Sequence, residues 1–124
     1  MYFLNVQNDQ NYYIVTDHRN TLETWSSTPI KFESAGMVYD YTNSLNKAFG
    51  NNLTLNGTKF CIFTGDVNKD DVIDITDLGI IDNASLNFLS GYIQEDVNGD
   101  SVADLSDLGI TDNNSFNFIS TQRP

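Results

Sequence analysis

Two stretches, thirty residues apart, carry oxygen-bearing side chains at the same intervals. The first runs Asp66-Val-Asn68-Lys-Asp70-Asp-Val72-Ile-Asp74-Ile-Thr-Asp77, and the second Asp96-Val-Asn98-Gly-Asp100-Ser-Val102-Ala-Asp104-Leu-Ser-Asp107. In both, Asp or Asn falls at positions one, three, five, nine and twelve of a twelve-residue loop. Calcium takes six to eight hard oxygens at flexible geometry, and a loop of this length can wrap the ion. Side chains at one, three and five, the backbone carbonyl at seven and a carboxylate at twelve supply the ligands. That arithmetic assigns Asp66, Asn68, Asp70, the Val72 carbonyl and Asp77 to one Ca2+ ion. It assigns Asp96, Asn98, Asp100, the Val102 carbonyl and Asp107 to a second. Asp74 and Asp104, at position nine, would act through water. Magnesium suits this ligand-rich arrangement less well, because it gives up its water reluctantly.

Two positions depart from the commonest form of such a loop. Position six, where glycine usually relieves a sharp turn, is Asp71 in one loop and Ser101 in the other. A left-handed backbone is expected at both, with some strain and reduced affinity. Position twelve is Asp, whose shorter arm requires the following helix to lie closer. The apolar Ile73 at position eight should point inward and tie its loop to the core, and Ala103 should do so less strongly.

The charge distribution fits this reading. The net charge of −11 is uneven: residues 1–60 hold four basic and five acidic residues, whereas residues 61–124 hold two basic and twelve acidic. Such a cluster repels itself unless cations neutralise it. A merely solvated acidic surface is the plainer alternative, but these acids sit at fixed intervals among apolar residues rather than in a block. Nothing resembles the basic stripe of a nucleic-acid partner, and no segment is long and apolar enough for a membrane span. Cys61 is a lone cysteine in an apolar run and reads as a small hydrophobe on a strand.

The elements that must position the loops follow from pattern. Residues 65–90 and 95–120 share sixteen identities in twenty-six positions. Each copy passes from an acidic loop into a segment with apolar or small residues three or four apart: Leu78, Ile81, Ser85 and Phe88, then Leu108, Thr111, Ser115 and Phe118. Gly79, Gly109 and the pairs Asp82-Asn83 and Asp112-Asn113 are poor helix formers. They predict a break in each helix, with Asp82 and Asp112 capping a second short turn.

The first half reads as β. Candidate strands are Tyr2–Val6, Tyr12–Val15, Leu22–Trp25, Ile30–Phe32, Met37–Tyr41 and Lys59–Phe63, with a hairpin at Asn56-Gly57 and a short helix over Ser44–Phe49. The expected class is α+β: a small antiparallel, sandwich-like β region over 1–63, followed by the loop–helix repeat over 64–124. Sixty residues of short strands leave little interior, so the β region should pack on its neighbour.

The repeat resembles the dockerin domain, whose duplicated calcium segments are F-hands: a calcium loop and its exiting helix. The likeness rests on Gly65-Asp-Val-Asn-Lys-Asp70 with Asp77-Leu78, and on Asp96-Val-Asn-Gly-Asp100 with Asp107-Leu108. Asp at position twelve is the dockerin form, and the match covers roughly 65–120. The resemblance implies a non-catalytic, extracellular or cell-surface bacterial module. Its partner would be a cohesin-like protein module in polysaccharide-degrading assemblies, or the adjoining domain of its own parent protein. The stretch Tyr12–Asn20 with Glu23–Ser26 is similar to segments that precede such repeats in large secreted bacterial proteins, and no signal peptide is present in this chain.

Other functions have thinner support. Trp25 with Tyr2, Tyr12, Tyr13, Tyr39 and Tyr41 could form a carbohydrate-stacking surface, although aromatics are ordinary strand residues. A calcium-stabilised structural tail is the remaining alternative, and Phe88 and Phe118 packed on the sheet would favour it. No enzyme is expected. His18 is the sole histidine, with no nucleophile at a recognisable spacing. His18 and Arg19 should make structural hydrogen bonds to backbone or to Glu23.

Overall fold

The computed structural model describes residues 6–124, so most of the strand expected over Tyr2–Val6, and Tyr2 itself, lie outside the described residues. The α+β class is the one observed. Strands β1 (Asn11–Tyr12), β2 (Val15–Thr16), β3 (Thr24–Trp25), β4 (Ile30–Lys31), β5 (Thr54–Asn56) and β6 (Lys59–Cys61) precede helices α1 (Ile75–Leu86) and α2 (Leu105–Phe116).

The first four strands form one interrupted antiparallel ribbon rather than a sandwich. Val15 and Thr16 pair with Trp25 and Thr24, after which the register slips and Tyr12 and Asn11 pair with Ile30 and Lys31. The slip is placed by Ser26-Ser-Thr-Pro29, where Pro29 has no N–H to give. The Ser26 hydroxyl substitutes for a ladder bond, accepting from Ile14 N–H at 3.0 Å and donating to Thr28 carbonyl at 3.0 Å. Leu22, Thr24 and Ser26 point inward and are buried, with Glu23 and Trp25 between them half-buried, the two-residue period of a strand.

β5 and β6 make the expected hairpin, with Asn56 paired to Lys59 and a two-residue turn at Gly57-Thr58. Gly57 takes φ +62°, which glycine adopts without steric cost. The helix expected over Ser44–Phe49 is instead two 3-10 turns, Leu45–Lys47 and Phe49–Asn51. Ala48 between them is extended because it bridges to Ser26, while Ser27 N–H donates to Lys47 carbonyl. Over Met37–Tyr41 no strand forms. Cys61 lies on β6, half-buried.

Each helix runs unbroken for 12 residues, correcting the expected break at Asp82 and Asp112. Those two aspartates and the asparagines after them face outward, whereas Ile81 and Ala84 of α1, and Thr111 and Asn114 of α2, are buried. Burying an Ile side chain is worth about 1.5–3 kcal/mol, more than a poor helix former costs on the exposed face. The true caps lie earlier. Asp74 and Asp104, at loop position nine, accept from the N–H groups of Thr76 and Ser106, each completing a capping box with the residue at position twelve.

The two repeats cross over. Val72 of the first loop bridges to Ser120 after α2, and Val102 of the second loop bridges to Ser90 after α1. Ile73 N–H donates to Ile119 carbonyl and Ala103 N–H to Leu89 carbonyl, both at 3.0 Å. Each loop is thus fastened to the end of the other repeat. Val67, Ile81 and Val97 form the core between them, with Leu108 packed alongside. Among the described residues, no helix is long and apolar enough to cross a membrane.

Candidate metal centre

The loops hold their shape by folding carboxylates onto backbone amides. Asp77 is fully buried: its Oδ1 accepts from Val67 N–H (2.9 Å) and Asn68 N–H (3.2 Å), and its Oδ2 from Asp74 N–H (3.0 Å). Asp107 repeats this with Val97 (2.8 Å), Asn98 (3.0 Å) and Asp104 (2.9 Å). Position twelve therefore joins the start of each loop to the start of its helix, a structural role the ligand arithmetic did not contain.

Positions three and five meet side by side. Asn68 Nδ2 donates to Asp70 Oδ2 at 2.9 Å, and Asn98 Nδ2 to Asp100 Oδ2 at 3.0 Å. Asp70 and Asp100 also accept from the N–H groups of Val72 and Val102. At position six the backbone is left-handed, with φ +74° at both Asp71 and Ser101, as expected from the sequence. Position four is left-handed too, at Lys69 (φ +62°) and Gly99 (φ +86°).

Position one separates the loops. Asp96 is saturated: Oδ1 accepts from Gly99 and Asp100 N–H, and Oδ2 from Ser101 N–H at 3.0 Å. Asp66 accepts from Asp70 N–H through Oδ1, but its Oδ2 is buried and makes no hydrogen bond. Burial raises the carboxyl of Asp66 above the usual carboxylate range, and the Lys69 ammonium pulls the other way. Burial also raises Asp77, against its three backbone bonds. Asp74 is lowered, chiefly by the Thr76 hydroxyl.

Among the described residues, no three acidic, histidine or cysteine side chains are gathered into a metal-holding group. The donor chemistry nonetheless fits a hard cation. Each loop offers carboxylate, amide and carbonyl oxygens and no sulfur or imidazole, and the first keeps a buried carboxylate oxygen that accepts no hydrogen bond and has only the Lys69 ammonium, 3.9 Å away, as a charge partner.

Basic side chains outside the ligand set stand beside both loops. Lys69 Nζ contacts Asp17 Oδ1 and Thr21 carbonyl at 2.5 Å each and lies 3.9 Å from Asp66 Oδ2. Arg19 donates through Nε to Ile93 carbonyl at 2.8 Å and lies 3.7 Å from Asp96 Oδ2, its guanidinium 3.9 Å over the Tyr92 ring. Arg123 joins Glu23 (2.8 Å) to Asp71 (2.7 Å). So Arg19 bonds to backbone as expected, whereas Glu23 pairs with Arg123 rather than with Arg19. Lys69 could have been noticed from its place between two ligand positions; Arg19 and Arg123 had no such signal.

Four aromatic residues of the first half contact one another in pairs. Tyr13 and Trp25 meet edge to face at 5.9 Å and Tyr39 and Tyr41 at 4.9 Å, while the Tyr39 and Tyr41 hydroxyls donate to Lys47 and Ile14 carbonyls. Fold and site together define an α+β protein whose second half is a pair of aspartate-capped loop–helix repeats. No protein-family model matches the chain, and it matches no curated protein and no solved structure.

Proposed function

We propose that this chain is a non-catalytic, calcium-binding docking module of dockerin type, acting in assembly of an extracellular bacterial protein. Two Ca2+ ions are assigned to the loops, with Asp66, Asn68, Asp70, the Val72 carbonyl and Asp77 as ligands of one and their counterparts as ligands of the other. The observation that carries the docking role is the exposure of matched apolar residues on the two repeats. Phe88 and Phe118 are 88% and 89% exposed, and Ile75 and Leu105 are 73% and 74% exposed. Packing of the two phenylalanines on the sheet would have favoured a structural tail, and they do not pack there. Ile75 and Leu105 line one open cleft between the helices with Leu78 and Leu108, and an apolar surface of that kind supports a docking role.

A second reading, a calcium-stabilised tail, is favoured by the bonds that Arg19 and Lys69 make across the two halves. Calorimetric calcium titration with thermal unfolding tests the proposal. Two sites are expected, and at a hundred times the dissociation constant each adds about 2.7 kcal/mol. An unchanged melting temperature in calcium and in chelator alike would remove it.

A further inference from the structure

One residue of the amino-terminal half touches the start of both loops. Asn20 is buried at 4% exposure. Its Nδ2 donates to Asp96 carbonyl at 2.6 Å and to Gln94 carbonyl at 3.1 Å, while its own carbonyl accepts from Gly65 N–H at 2.8 Å. Gly65 precedes Asp66, and Asp96 is position one of the second loop. Flanking Asn20, Arg19 anchors to Ile93 carbonyl and stacks on Tyr92, and the Thr21 carbonyl receives Lys69 from the first loop.

We infer that Asn20 is a positioning residue for the second cation loop, fixing the backbone of Asp96 from the β half of the chain. This rests on the calcium reading above. The side-chain amide acts on the second loop alone, since the first loop is reached through the Asn20 main-chain carbonyl, which a change of side chain keeps. A neutral amide adds no charge to the site, so its effect is one of geometry: with two carbonyls pinned, the Asp96 carboxylate starts from a fixed backbone. Groups that orient metal ligands in this way typically contribute about 10–100-fold in affinity.

The test is a calcium titration of the full chain followed by amide NMR, reading Asp70 N–H for the first loop and Gly99 N–H for the second. These amides bond the position-one aspartates of their own loops. In Asn20→Ala the Gly99 response should move to about 10–100-fold higher calcium, with Asp70 responding as in the parent chain. A general loss of stability would move both amides together, and that result overturns the inference, as does no movement of either. Should Asn20→Ala fail to fold, Asn20→Ser decides: its shorter hydroxyl cannot reach both the Asp96 and the Gln94 carbonyls, so the Gly99 response should again move to higher calcium while Asp70 responds as in the parent chain. A parent chain silent at both amides would fell the calcium reading as well; a responsive parent with unaltered variants would fell only the role of Asn20.

Discussion

The two repeats share a backbone and differ in what surrounds it. Their helix N-caps, Asp74 and Asp104, have identical dihedral angles, φ −143° and ψ −167°, and position six sits at φ +74° in both. Asp at nine and twelve, common to both copies, make the same bonds in each and set this geometry. Several of the residues that differ lie where a copy meets its neighbours. Ile81 and Ala84 make the inner face of α1 apolar, whereas α2 presents Thr111 and Asn114, and Asn114 Nδ2 donates to Thr64 carbonyl at 2.8 Å. Gly65 precedes the first loop and Glu95 the second. The repeated residues build the loop, and several that differ meet each copy's own surroundings.

The largest effect should come from the shared part. Asp77→Ala and Asp107→Ala each remove the acceptor of three backbone N–H groups, one in a buried bond and two in part-buried ones, at a cost of roughly 3–5 kcal/mol. Urea unfolding in chelator measures this without any contribution from a bound cation. Nearly equal losses support equivalence of the two frames; a loss confined to one variant breaks it.

Next comes a position where the repeats differ. Gly65 has φ +115°, and a methyl group there would fall 2.9 Å from Thr111 Oγ1. Gly65→Ala should therefore cost about 2–4 kcal/mol, from a strained backbone plus overlap. Glu95→Ala should stay within about 0.5 kcal/mol. Adding Thr111→Ala should recover the overlap and leave the backbone part, which thermal unfolding of the double variant would separate.

The repeat, the oxygen positions and the left-handed sixth residue were all legible in the sequence, because each depends on neighbours within one loop. Helix continuity past Asp82 was not, since local propensity is overruled by burial of Ile81 and Ala84 on the opposite face. Nor was the ribbon's slipped register, set jointly by Pro29 and the Ser26 hydroxyl. Least legible was the turn at Arg19-Asn-Thr21. It reads as a strand terminator, and its bonds to residues more than seventy positions away leave no periodic trace. Spacing can point to candidate ligands, but it cannot show which distant side chain bonds to the backbone beside them.

The smallest effect concerns a carboxylate that does outside the loops what Asp74 does within one. Asp40 Oδ1 accepts from Thr42 N–H (2.8 Å) and Thr42 Oγ1 (2.7 Å). Asp74 Oδ1 accepts from Thr76 N–H (2.8 Å) and Thr76 Oγ1 (2.5 Å). Both carboxyls are lowered, in each case chiefly by the threonine hydroxyl. An acid lowered on folding contributes stability that is present above its unfolded value, 3.8, and is lost as pH falls through the folded one. Thr42→Val removes that hydroxyl, so a small part of the stability above the unfolded value should be lost, with the variant and parent curves converging as pH falls through the folded one. Because Asp40 belongs to no loop, the calcium response of this variant should match the parent chain. Denaturant unfolding across the acid range, with and without calcium, checks both; a shifted calcium response would mean that the loops sense the β half through more than the turn at Asn20.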